Sequence, residues 1–354
     1  MSETVDSVPS RPKTSRDETL DFLRGSAVLF MIVCHAFVLL YSGKLLVMDL
    51  LVFWGATVCF TIFLFVFSVI YARKINNGRL QLSKELRRVL TFIVGYFIVA
   101  FWVVFWSFPD VIKDGAYWVF RVLSLYYMPA FTEFVITFAW FVLLFLILQR
   151  PIKAMLKRMS STVIVTATLY VLAGVLYTMT ADTLLWRTIG AQLVGFRDFH
   201  IFGVLSYMPV AGFGLWWGSR EFKDDNVRMV SARNWFVVLL ALFVFLRVTG
   251  LSSWHRWPPS IYFMLYGFTF TFLAIWQFDW IKKLGRVYKF VLSVGKNAFV
   301  YYLGHLLILM PLFKLTRADL PAWLSIVITI ATVVVIALYI ERKRLLQRLT
   351  KSTL

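Results

Sequence analysis

Asp21, Arg24 and His35 lie in or at the mouth of the first long apolar run, within RDETLDFLRGSAVLFMIVCHAF at 16–37. Ionisable groups at membrane depth are costly, because lipid offers them neither water nor a partner. They are kept where they face a protein interior or an aqueous cavity. Arg24 and His35 are eleven residues apart, so on a helix they differ by ~20° around the axis and ~16 Å along it. Asp21 falls within ~60° of Arg24 on the same side. A guanidinium at the mouth of such a face can hold a phosphate, and a neutral imidazole deeper in can take a proton from a hydroxyl. Plainer readings stand beside these. His35 could be a buried side chain bonded to a neighbouring helix, and Arg24 could neutralise Asp21 at a helix start. For Arg24 the two readings coexist, with Asp21 orienting the guanidinium. Cys34 points ~100° away from His35, which argues against a thioester intermediate on it.

A second constellation lies near the C-terminus. Asn297, Tyr301 and His305 form one stripe at i, i+4 and i+8, which gives His305 and Tyr301 a substrate-positioning role or a packing role. Lys296 lies on the opposite side of that segment, to bind an anion or to snorkel toward lipid headgroups. Arg87 and Arg88 open the third apolar segment. Either loop-charge bias or anion binding accounts for them. Arg247 sits in a span without a carboxylate on its own helix, and Glu133 is a candidate partner. In SSWHRWPPS (252–260), Trp254, His255 and Trp257 could stack on a sugar or serve as interface anchors. No residues have the spacing of a metal site, and no bound cofactor is expected.

These residues need elements to hold them. The chain has 354 residues, 60% of them hydrophobic, and a mean hydropathy of +0.77. That is far from soluble globular composition and reads as a polytopic membrane protein. A net charge of +19 would suggest nucleic acid in a soluble protein. No RNP or zinc-finger signature supports that, and collected loop cations explain the charge better. The two cysteines, Cys34 and Cys59, fall in apolar segments, so no disulfide framework is expected. The first apolar run is too long for a signal-peptide core, lacks an A-x-A site and reads as an uncleaved anchor.

Ten segments reach the ~20 apolar residues that a crossing needs, near 22–42, 46–72, 89–107, 131–149, 160–179, 201–219, 234–251, 259–280, 290–312 and 322–340. Of the 37 Lys and Arg, 26 fall at one set of segment ends, around 11–16, 73–88, 150–158, 220–233, 282–289 and 342–351, against 8 at the other. The positive-inside rule makes that side cytoplasmic, with both termini there, as an even number of spans requires. The expectation is an all-α polytopic bundle of about ten transmembrane helices. It comprises a disordered cytoplasmic tail (1–19), a transmembrane domain (20–341) and a basic cytoplasmic tail (342–354). The longest outer loops, 108–130 and 180–200, are aromatic and amphipathic and suit interfacial or folded-back short helices.

LDFLRGSAVLFMIVCHAF resembles the first-span signature of the membrane-bound acyltransferase-3 family, an L-D-x-L-R-G start with an Arg eleven residues before a His. LRRVLTFIVGY is similar to that family's basic entry to a third span. FAWFVLLFLILQRP, which carries Trp140, resembles its Trp-containing span, YMPVAGFGLWWGSR a later small-residue span, and SVGKNAFVYYLGHLLI its penultimate span with Tyr-x-x-His. The third-span pattern departs in detail. Lys84 and Arg87 have the spacing of its usual Arg pair, while Arg87 and Arg88 are adjacent. The His expected before Trp140 is replaced by Phe138 or Ala139. Heparan acetyltransferase-like membrane enzymes share the D-x-L-R-G opening and a His, but the Tyr-x-x-His span favours acyltransferase-3.

The resemblance implies an O-acyltransferase in a plasma membrane, a bacterial inner membrane in particular. It would move an acyl group, usually acetyl, from cytoplasmic acyl-CoA as co-substrate to a glycan or lipid-linked saccharide at the outer face. His35 would be the catalytic base, with Asp21 supporting it. Arg24, Arg87, Arg88 and Lys296 would bind acyl-CoA, and His305, Tyr301 and Trp140 would position substrate. Two alternatives are a transporter or flippase for lipid-linked oligosaccharide and a non-catalytic subunit of an export machine. The partners expected on any reading are the lipid bilayer and small molecules, not nucleic acid.

Overall fold

The computed structural model describes residues 16–107, 114–179, 183–196, 201–317 and 319–352. Most of the expected N-terminal tail and parts of both long outer loops lie outside the described residues. Helices dominate: α1 (Glu18–Leu40), α2 (Leu46–Asn76), α3 (Leu82–Ser107) and the short α4 (Gly115–Leu123) come first. α5 (Glu133–Ile147) turns by 81° into α6 (Gln149–Met155). α7 (Met159–Thr178), the single turn α8 (Ala191–Val194), α9 (Met208–Ser219) and α10 (Asp225–Thr249) follow. The chain ends with α11 (Ile261–Trp276), α12 (Phe278–Lys282), α13 (Arg286–Lys296), α14 (Ala298–Thr316) and α15 (Ala322–Ser352). The protein is an all-α polytopic membrane bundle.

Local signals set several boundaries. Asp17 caps α1 by accepting from the Thr19 and Leu20 N–H groups. Asp224 caps α10 and Ser260 caps α11 in the same way. Gly250, at φ +66°, closes α10 in the left-handed region.

Among the described residues, seven helices are long and apolar enough to cross a membrane, or eight if bent α5–α6 is one span. Ten were expected, and the shortfall has local causes. Only 208–219 of the sixth expected segment is helical. Residues 201–207 run irregularly, with the Val204 and Leu205 N–H groups bonded to the Gln192 and Leu193 carbonyls. Gly203 lies so close to Val194 that a Cβ there would fall 2.4 Å from the Val194 carbonyl carbon. Non-helical backbone at membrane depth is tolerated when protein covers it, and Ile201, Phe202, Val204 and Tyr207 are all buried. The ninth segment breaks into α13 and α14 at Asn297, but α14 alone is long enough to cross and is counted, whereas the fourth is the bent α5–α6. α11 spans only 16 residues.

α1 is the axis of the site. It packs on α2, α13 and α14, while α3 packs on α5 and α14 and α10 on α11. The crossing of α1 and α13 is backbone on backbone: a Cβ on Gly25 would lie 2.0 Å from the Val291 carbonyl oxygen, and one on Gly295 would lie 1.7 Å from that of Asp21. Small residues are what permit such approach in a bundle. At one end of the bundle Asp17 binds Arg73 of α2 at 2.9 Å and Arg228 of α10 at 3.1 Å, and Tyr288 of α13 donates to Glu18. The basic loops thus gather where α1 starts. At the opposite end the Leu320 N–H bonds the Leu40 carbonyl, so α15 begins there and returns toward the basic end.

Candidate active site

The α1 helix carries His35 to the level of His305 on α14. The His35 Nδ1 lies 2.9 Å from the His305 Nε2, and both rings are buried. The His305 Nδ1 lies 3.1 Å from the Tyr301 carbonyl oxygen. A carbonyl only accepts, so the His305 Nδ1–H is the donor there and its Nε2 keeps a lone pair. His35 must then donate from Nδ1, which leaves its Nε2 as the unprotonated nitrogen. The chain from Tyr301 through His305 to His35 therefore fixes which imidazole nitrogen can act as a base. Phe131 covers the His35 ring, with centroids 4.4 Å apart.

His35 lines a cavity of about 20 Å³ together with Cys59, Phe60, Glu133, Phe202 and Arg256, room for about one water-sized group. Phe63 and Phe134 form its wall toward a larger cavity of about 320 Å³. That larger space is lined mainly by aromatic side chains, with Arg24 and Lys296 among its polar ones. Arg24 and Ile70 are shared in turn with a recess of about 360 Å³ at the basic end. Five cations, Arg16, Arg24, Arg73, Lys74 and Arg79, line that recess, against Asp17 and Asp21. Three neighbouring cavities that share lining residues therefore lie between the cationic recess and the pocket that His35 lines.

The mouth is held by shared carboxylates. Asp21, almost fully buried, bonds both Arg24 and Arg16, while the Arg24 Nε stays buried without a hydrogen-bond partner. Burial pushes the Asp17 carboxyl up, but the Arg228 and Arg73 guanidiniums outweigh it and hold the carboxyl below its usual value. Beside the recess, buried Glu85 binds Lys74 at 2.8 Å and also bonds Tyr71 and Arg88.

The structure brings together Asp21, Arg24 and Lys296 at one end of this path, and His35, His305 and Tyr301 at the other. Asp21 touches Arg24 and not His35, so it is a positioning residue for the guanidinium. The Tyr301 contribution is its backbone carbonyl. Arg87 is exposed, and Arg88 is engaged by Glu85 and Tyr71. Neither lines the three cavities, whose cations come instead from α1 and the residue before its cap, the end of α2, the α2–α3 turn, the end of α13 and the 250–260 loop. Trp140 is half-buried on α5 and lines none of the three. Arg247 is exposed on α10, and Glu133, its candidate partner, lies in the His35 cavity instead. Cys59, not Cys34, lines that cavity.

Sequence reasoning missed Arg256 and the place of Glu133. The available signal was an arginine between two tryptophans on the side where loop cations are scarce. Trp254 packs on Phe53 and Phe263, as an anchor does.

A family profile described as an acyltransferase domain matches residues 17–342, nearly the whole chain, and the chain belongs to that family, acyltransferase-3. No curated protein and no solved structure gives a significant match.

Proposed function

We propose, with membership of this acyltransferase family as the premise, that the protein moves an acyl group, acetyl in the simplest case, from cytoplasmic acyl-CoA to a hydroxyl of an envelope or exported glycan. The observation that carries this reading is the row of three neighbouring cavities between a cationic recess and the small pocket lined by His35, whose Nδ1 is held by His305. Loop charge makes the recess cytoplasmic. There Arg24, Arg73, Lys74 and Arg79 would hold the CoA phosphates, and Lys296 would act further in. The ~16 Å along α1 from Arg24 to His35 is a gap that an extended pantetheine arm can cross through the aromatic cavity.

At the far end His35 Nε2 takes the proton of the acceptor hydroxyl while its oxygen attacks the thioester carbonyl carbon. The carbonyl π electrons move onto oxygen. Collapse reforms C=O, breaks the C–S bond, and releases CoA as a thiolate that receives the proton from His35. His305 holds the imidazole in the needed tautomer and accepts a hydrogen bond from the imidazolium as it forms. Buried aromatic walls exclude water, which suppresses hydrolysis of the thioester.

Purified protein in vesicles, given acetyl-CoA and envelope glycan, should release CoA thiol and yield acylated glycan, and His35→Ala should do neither. A flippase or an export subunit would leave acetyl-CoA intact. Mass spectrometry of envelope glycans from cells with and without the gene would identify the acceptor.

A further inference from the structure

The His35 cavity contains a cation that the general-base scheme leaves without a task. Arg256 lies in the 250–260 loop at the end opposite the CoA recess, yet it lines this cavity beside His35 and Glu133. Its Nε is buried and has no hydrogen-bond partner. Glu133 is only 7% exposed, and its Oε2 also lacks a partner. A buried N–H donor and a buried carboxyl oxygen thus share one small space without satisfying each other. Leaving a buried charged donor unused costs stability, and such a cost persists where a ligand atom completes the bond.

The side chain is held rather than mobile. The guanidinium lies 4.3 Å from the Trp257 ring and 5.1 Å from that of Phe202. The loop beneath it is tied at three points. Tyr207 donates to the Arg256 carbonyl at 3.0 Å, Tyr170 donates to that of Pro259 at 2.9 Å, and Arg256 pairs with Pro259. A fixed donor whose Nε–H is buried beside the base meets the requirement for stabilising charge that develops on a reacting carbonyl oxygen.

We propose that Arg256 is a catalytic residue that holds the thioester oxygen as it becomes an oxyanion, through an Nε–H that Glu133, in the same cavity, leaves unbonded. This role rests on the acyl-transfer reading. As the acceptor oxygen bonds to the thioester carbon, the carbonyl π pair moves onto oxygen and the Arg256 N–H groups donate to it. When the C–S bond breaks, that pair returns and the contact weakens to an ordinary carbonyl hydrogen bond. Arg256 and His35 thus take complementary tasks in one cavity, one stabilising negative charge and the other receiving a proton.

The test uses the full chain purified in vesicles, with acetyl-CoA as donor, envelope glycan as acceptor and thiol release as readout. Arg256→Gln should lower kcat by about 10²–10³-fold with the KM for acetyl-CoA unchanged. Arg256→Lys should recover part of the loss. Added guanidinium should raise the rate of Arg256→Ala, which a purely structural defect would not allow. An Arg256→Gln protein with wild-type kcat overturns the role, as does a raised KM with unchanged kcat, which would make Arg256 a binding group only. An Arg256→Ala protein that is folded by its thermal midpoint but not rescued by guanidinium also counts against it. Wild-type protein that releases no thiol overturns acyl transfer and this role together, whereas an active wild type with an unimpaired Arg256→Gln overturns this role alone.

Discussion

At the scale of single residues, the site depends on where two protons sit. His305 donates to the Tyr301 carbonyl and so can only accept from His35, which leaves Nε2 as the nitrogen of His35 that could take a proton in the proposed reaction. Replacing His35 with Ala should abolish acyl transfer at unchanged expression and folding. His305→Ala removes the acceptor that orients His35 and should lower kcat by about 10–100-fold, the usual loss when the partner of a functional histidine is removed. The KM for acyl-CoA should hold, and steady-state kinetics on the purified variant would check both. Arg24→Ala should raise that KM with a smaller effect on the acceptor, and Lys should substitute poorly if the phosphate is bound at two points. The sequence showed Asp21, Arg24 and His35 because one helix's period relates them. It could not show that His305 meets His35, since no spacing within a helix encodes contact between two. Arg256 was hidden for the same reason: its reach into the cavity follows from how a loop is tied down, and in sequence it is one more outer cation.

At the scale of elements, the crossing of α1 and α13 sets the distance between Arg24 and Lys296. Gly25→Ala would place a methyl 2.0 Å from the Val291 carbonyl oxygen, and overpacking of this kind costs about 1–3 kcal/mol. The thermal midpoint in detergent should fall, and acyl-CoA affinity with it, because the helices can only relieve the clash by moving apart. Asp17 clamps α1 to α2 and α10, and its folded carboxyl titrates below the usual 3.8. A depressed carboxyl contributes stability that is complete above that usual value and is lost as pH falls through the lower folded value. Asp17→Asn should therefore destabilise the protein at neutral pH and matter progressively less in acid, as thermal midpoints measured across pH would show. Helix existence was largely legible, since long apolar runs have few alternatives. The breaks at 201–207 and Asn297 were not, because the segment average ignores a glycine pressed against a neighbouring backbone.

At the scale of the whole molecule, one end gathers cations from α1, α2 and the α2–α3 turn, while His35, Glu133 and Arg256 lie toward the other. This polarity is the central claim: the CoA stays on the cytoplasmic side, its thioester reaches His35 through the bundle, and the acceptor arrives from outside. The charge bias of the loops made the polarity readable from sequence, but the path itself needed the packed aromatic walls of several helices. Sealed vesicles of known orientation, with acetyl-CoA and acceptor glycan confined to chosen sides, test this most directly. The account predicts acylated glycan only when acetyl-CoA is on the face carrying the basic loops and the glycan is on the opposite face, with none from His35→Ala in either arrangement. Equal activity with both substrates confined to the basic-loop face would contradict it.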